Sequence, residues 1–183
     1  MIWTVIVDSE PLHEKAPRQT SLHLGRDLTQ EEVASLRGTV DEIGAARLLE
    51  YNPGATLSVP QVIEYYNNLF KAMFDQMKLI PGSREFIQKA HRKGFKLGLT
   101  TSALRENQQR VFEMFNLWPF FSTVITAEDI INGKPHPEPY LKTAEKLGVA
   151  PANALVIEDS VNGVRSGKAA GLSGHRYCDF VFP

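Results

Sequence analysis

Residues 154–172 read ALVIEDSVNGVRSGKAAGL. Ala154 to Ile157 is a short apolar run that stops at two acids, Glu158 and Asp159, and Ser160 to Gly171 then reads as a helix. A short apolar run bounded by polar residues predicts a buried strand. A strand, a carboxylate pair and a helix in direct succession make up one step of an alternating β and α chain. The question is how far that alternation extends on either side.

Upstream the pattern repeats. After the Pro81-Gly82 break, residues 83–93 read as a helix with Gly94 as its C-cap, and Phe95-Lys-Leu-Gly-Leu-Thr100 as a buried strand. A helix through Val111 and Met114 follows, then a short strand Thr123–Thr126, then a helix from about Pro137 to Leu147. Such βαβαβα alternation calls for a parallel sheet with helices on both faces, an α/β Rossmann-like core. Ile2 to Val7, apolar and rich in β-branched residues, reads as one further buried strand.

Between Glu10 and about Leu79 the chain is helical in character. Thr29-Gln-Glu-Glu32 has the shape of a capping box, and Val62, Tyr65, Tyr66, Leu69 and Met73 recur at helical spacing. The expected organisation is a core of residues 1–9 and 81–183, with a helical insertion of residues 10–80 after the first strand.

The totals agree with one such domain. The chain has 183 residues, 43% hydrophobic and 22% charged, with a net charge of −1. Basic residues are interspersed with acids, so there is no footprint for nucleic acid or an anionic membrane. A single cysteine, Cys178, leaves no internal disulfide and fits a reducing compartment. The start lacks the positive and long apolar regions of a signal peptide, and no apolar stretch approaches the ~20 residues that cross a bilayer. A cytoplasmic location is expected.

In open α/β sheets ligands bind beyond the carboxyl ends of the strands. Those ends here carry Asp8-Ser9-Glu10, Thr101-Ser102, the loop to Asn132-Gly-Lys134, and Glu158-Asp159-Ser160. Each has an ordinary structural reading. Adjacent acids or hydroxyls before a helix are commonly caps, and a lysine in a Gly-Pro loop is commonly solvated. Together they are more specific. Paired carboxylates suit Mg²⁺, a hydroxyl with backbone N–H groups at a helix start suits phosphate, and a lysine balances phosphoryl oxygens. An aspartate could attack phosphorus. The combination points to Mg²⁺-assisted phosphoryl transfer.

The stretches VDSEPLHEKA, LIPGSREFI, KLGLTTSA, NGKPHPEPYL and ALVIEDSVNGVRSGKAAGL, in that order, resemble the haloacid dehalogenase (HAD) superfamily. Within it they resemble the β-phosphoglucomutase-like phosphatases, whose small helical cap corresponds to residues 10–80. The resemblance implies that Thr101, with Ser102, binds phosphate and that Lys134 neutralises nucleophile and phosphate. It implies that Glu158 and Asp159 are the acidic pair of a Mg²⁺ site, Asp159 being the direct ligand. The implied partner is a small phosphorylated metabolite, met by a monomer or weak homodimer.

The family's first motif, two aspartates separated by one residue, is not matched. In an ungapped register its nucleophile and its acid–base fall on Met1 and Trp3, which cannot do that chemistry. A second register places Met1–Val7 as the central strand, so that Asp8 takes the nucleophile's post, bridging to the metal, and Glu10 the acid's. An unfilled central slot would leave backbone groups of both neighbours unpaired, which favours the second register. His13 matches the mutase's hinge histidine. Asp41 stands where the mutase's cap has a phosphate-gripping arginine, which speaks against mutase activity and leaves Arg37 as the cap loop's remaining arginine. The family also expects another strand and helix after Leu172. The sequence thus predicts a Mg²⁺-dependent phosphatase acting through an aspartyl-phosphate, impaired by its altered first motif. An inactive phosphate-binding relative and a shortened form of an active enzyme remain open.

Overall fold

The computed structural model describes residues 3–36 and 41–177. In chain order its elements are α1 Trp3–Ile6, β1 Val7–Asp8, α2 Glu10–Leu24, α3 Gln30–Leu36, α4 Asp41–Tyr51 and α5 Val59–Ala72. They continue with β2 Lys78–Leu79, α6 Ser83–Arg92, β3 Gly98–Thr100, α7 Arg105–Met114, β4 Thr123–Ile125 and α8 Glu138–Leu147. β5 Leu155–Glu158, α9 Val161–Ala169 and β6 Ser173–Tyr177 complete the order. The chain divides into two compact units, Met1–Asp8 with Leu79–Pro183, and Ser9–Lys78. Among the described residues no helix is long and apolar enough to cross a membrane.

The first unit is α/β, and its sheet pairs are parallel where the alternating pattern requires it. β3 runs beside β4 with Leu99 opposite Val124 and Thr100 opposite Ile125. β5 runs beside β6 with Glu158 opposite Tyr177 and a register shift between Leu155 and Val156. The strand expected after Leu172 is therefore present as β6. Helix α8 packs on β3 and β4, and α9 on β5 and β6. Two glycines set how closely these layers approach. A Cβ on Gly98 would lie 2.7 Å from Thr143 Cγ2, and one on Gly167 2.9 Å from Val156 Cγ1. Thr143 donates to the carbonyl of Pro139 (2.8 Å), which leaves Thr100 Oγ1 to donate to Thr143 Oγ1 at 2.6 Å. Both threonines are buried, and this bond ties α8 to the end of β3.

The expected strand over Ile2–Val7 is corrected. Ile2 lies outside the described residues, Trp3 to Ile6 form a helical turn, and only Val7 continues into a strand. Among the described residues that strand, β1, pairs with β2 and not with β3 or β5. The carbonyl of Ile6 accepts from Ile80 N (2.9 Å) and Ser83 Oγ (3.1 Å), so α1 ends against the start of α6. β-branched residues make a strand only where a partner edge receives them; a short apolar run fits a buried helical turn equally well. β2 also interrupts what reads as a wholly helical stretch up to Leu79. The exposed Phe95 and its neighbours Lys96 and Leu97 stay outside β3, which begins at Gly98.

The second unit is a helical bundle around Leu28, Val33, Ala45, Leu48 and Val62. The capping box at Thr29 forms: Thr29 N donates to Glu32 Oε2 at 2.8 Å and Glu32 N to Thr29 Oγ1 at 3.2 Å. Arg26 meets Glu32 at 2.5 Å and the carbonyl of Tyr51 at 2.6 Å, joining α3 to the end of α4. Arg37 and Gly38 lie outside the described residues. Since Leu48 is fully enclosed by this cluster, Leu48→Ala should lower the unfolding free energy by about 3 kcal/mol, read from the urea midpoint at unchanged slope.

Candidate functional site

β5 delivers Glu158 into the interior of the first unit, where its side chain is wholly buried. Oε2 accepts from Lys134 Nζ at 2.8 Å and from the Tyr140 hydroxyl at 2.5 Å. Oε1 accepts from Ser160 Oγ at 2.8 Å and Ser160 N at 3.2 Å. The carboxylate is thus held by four donors. Ser160 Oγ also receives Gly163 N at 3.0 Å and so caps α9. A Cβ on Gly163 would lie 2.0 Å from Glu158 Cδ, so only glycine lets the helix pass the carboxylate.

The Lys134 side chain is 4% exposed. Besides Glu158 its ammonium reaches the carbonyl of Thr100 at 3.4 Å and lies 5.0 Å from the centre of the Tyr140 ring. It therefore bridges the carboxyl ends of β3 and β5, which share no ladder among the described residues. Burial lowers the Lys134 pKa against the opposing pull of Glu158. Burial also pushes Glu158 upward, but the facing Lys134 ammonium holds it below the ordinary carboxylate range. Burial, and then the Glu158 anion, push the Asp159 carboxyl up. Tyr140 is raised for the same two reasons and stays a neutral donor.

The loop that carries Lys134 is clamped by Glu138 at the start of α8. Its carboxylate accepts from Ile131 N (2.8 Å), Asn132 N (2.9 Å) and Lys142 Nζ (2.9 Å). Ser166 Oγ ties the carbonyl of His136 to α9 at 2.6 Å. The Lys134–Pro135 peptide is cis.

Thr101 follows β3 and is buried, its hydroxyl accepting from Ala103 N at 3.0 Å; Ser102 is exposed beside it. The start of α7 is already satisfied. Glu128 accepts from Arg105 N at 2.9 and 3.1 Å, and Asp129 pairs with Arg105 Nη2 at 2.7 Å. An anion beyond β3 would therefore meet the Thr101–Ser102 loop rather than the first N–H of that helix.

Thr101 follows β3, Glu158 ends β5 and Asp159 follows it, and Lys134 reaches both strand ends from the loop after β4. Asp8 ends β1. It is exposed on β1, and among the described residues no three acidic, histidine or cysteine side chains form a metal cluster. Glu10 opens α2 and belongs to the second unit. Met1 lies outside the described residues, and Trp3 opens α1. Sequence reasoning missed Tyr140, Gly163 and Glu138. Tyr140 sits six positions after Lys134 in the quoted NGKPHPEPYL, a spacing that suggests a core aromatic and nothing about a carboxylate.

Removing one member of a buried pair strands the other charge. Lys134→Met should cost about 3 kcal/mol, and Lys134→Met with Glu158→Gln distinctly less, as thermal unfolding of both variants can measure. Glu138 sits at about 2, held down by the N–H of Ile131, then Lys142 and Asn132. Its folded pKa lies below the unfolded one, so its stabilising contribution is present above the ordinary carboxylate range and fades as pH falls toward 2. The melting-temperature gap between the protein and Glu138→Gln should accordingly close between pH 5 and pH 2.

Residues 4–174 match the haloacid dehalogenase-like hydrolase family. Hexitol phosphatase B of Escherichia coli K12 is 32% identical over 92% of this chain and 77% of its own. A phosphorylated-carbohydrate phosphatase of Thermotoga maritima is 30% identical over 92% and 78%. A Thermotoga maritima structure provisionally described as a β-phosphoglucomutase superposes with a TM-score of 0.84 at 30% identity, covering 92% of this chain and 78% of that one. CbbY of Rhodobacter sphaeroides in complex with phosphate gives 0.73 at 26% identity, over 96% and 84%. With nearly its whole described length matched in sequence and in fold, the chain belongs to the haloacid dehalogenase-like hydrolase family, in its β-phosphoglucomutase-like group.

Proposed function

We propose that this chain binds small phosphorylated sugars in the cytoplasm with Mg²⁺, at a phosphatase-type site whose turnover through an aspartyl-phosphate is severely impaired. The carrying observation is the buried Lys134 ammonium at the ends of β3 and β5, with the Thr101–Ser102 loop following β3. An ammonium has three protons. One lies on Glu158 and one is directed at Thr100, which leaves a third for a phosphoryl oxygen. Ser102 can add a hydroxyl. The two relatives described above, each matched over 92% of this chain, are named for phosphatase action on hexitols and on phosphorylated carbohydrates.

The residues fit Mg²⁺ in kind. Asp159 is a carboxylate whose pKa is raised by burial and by a neighbouring anion, and a hard divalent cation relieves both penalties. Asp159 would ligate the ion. Glu158, spent on four protein donors, would fix Lys134 beside it. The bound ion would supply charge to the phosphoryl oxygens.

Impairment is read from the altered first motif and from the local setting of Asp8. In-line attack requires a carboxylate about 3–3.5 Å from phosphorus. Asp8 lies on a two-residue strand paired with β2, and in the ungapped register of the resemblance the nucleophile's and acid's posts fall on Met1 and Trp3. Calorimetry with orthophosphate and Mg²⁺, beside turnover of p-nitrophenyl phosphate and hexitol phosphates, tests the reading. Phosphate should bind, Lys134→Met should weaken it more than tenfold, and trace turnover should be the same in Asp8→Asn. Efficient hydrolysis abolished by Asp8→Asn would overturn it.

A further inference from the structure

The four donors on Glu158 are not equivalent. Ser160 and its N–H belong to the α9 cap and hold Oε1. Oε2, the oxygen that receives Lys134, has one other partner, the Tyr140 hydroxyl at 2.5 Å. Tyr140 is 4% exposed and packs with Val156, Ala170 and Leu172, so its ring is fixed by the core. The same ring lies 5.0 Å from Lys134 Nζ. One side chain thus touches both members of the pair, on the carboxylate through its hydroxyl and beside the ammonium through its ring.

We propose that Tyr140 is a positioning residue of this site: its hydroxyl fixes the rotation of the Glu158 carboxylate and thereby holds the Lys134 ammonium at the end of β3. A neutral phenol does this without altering the charge of the pair, whereas a charged donor would compete with Lys134. When the hydroxyl is absent Oε2 keeps a single donor. The carboxylate can then turn about its terminal torsion, which is soft, and the ammonium follows it away from Thr100. The inference rests on the phosphate-binding reading only for its affinity arm.

Tyr140→Phe is the informative variant because it keeps the ring, the core packing and the cation–π contact and deletes one oxygen. If Tyr140 merely fills space, this variant behaves as the parent. Two readouts separate the cases. Acylation of lysines by an amine-reactive ester, followed by peptide mass spectrometry, should label Lys134 several-fold faster in Tyr140→Phe, with the exposed Lys89 as internal reference. Orthophosphate affinity in the presence of Mg²⁺ should fall about tenfold, the scale of one hydrogen bond to a charged group. Tyr140→Leu, which also removes the ring, should exceed both effects. Should the parent bind no phosphate, the proposed function fails while the labelling ratio still decides the role of Tyr140. Unchanged Lys134 labelling in Tyr140→Phe overturns the proposal, whatever the affinity does.

Discussion

The buried ion pair between Lys134 and Glu158 is the constraint to which the rest of the core unit conforms. Desolvating two charges costs several kcal/mol each, and their attraction offsets this only when the remaining protons and lone pairs are also met. Glu158 meets the condition with four donors. From that requirement several local choices follow. α9 must carry glycine at 163, because a Cβ would enter the carboxylate. α8 must bring a phenol from one side, and the loop before it must be clamped by Glu138 so that Lys134 arrives at all. The pair also joins what the ladders leave separate. β3–β4 and β5–β6 are distinct pairs, and one ammonium spans from Thr100 at the end of one to Glu158 at the end of the other.

Much of this was legible in the sequence, for physical reasons that differ by element. β3, β4 and β5 are short apolar runs between helices, and a strand buried in a parallel sheet has no polar face to blur its signal. The Thr29 capping box is local, so four consecutive residues contain all its partners. Glu158, Asp159 and Lys134 stood out because charges at strand ends are costly unless they serve something. The unreadable parts depend on partners distant in sequence. Nothing in PEPYL announces that the tyrosine meets an acid on β5. The run Trp3–Val7 has strand formers throughout, yet takes a helical turn because its terminal carbonyl finds Ile80 and Ser83 instead of a neighbouring strand.

That one misreading bears directly on function. Asp8 had been expected at the end of a core strand, where a short turn could aim it at phosphorus. On β1 it is a residue of a two-residue pairing with β2, exposed and outside any cluster of three potential ligands among the described residues.

Charge then determines what the remaining groups can do. Among the described residues one ammonium, Lys134, faces the carboxylates of Glu158 and Asp159, so charge alone draws a phosphate only weakly. Burial first, and the Glu158 anion second, raise the Asp159 pKa. An anion enters more readily with a cation, or with Asp159 protonated, and the first is the stronger partner near neutral pH because a divalent ion changes the balance by two charges. Metal and phosphate should therefore bind with positive coupling, each raising the other's affinity by the same factor. In an active hydrolase such coupling delivers substrate to a nucleophile. At the proposed phosphate-binding site it would make retention of a phosphorylated ligand depend on the metal.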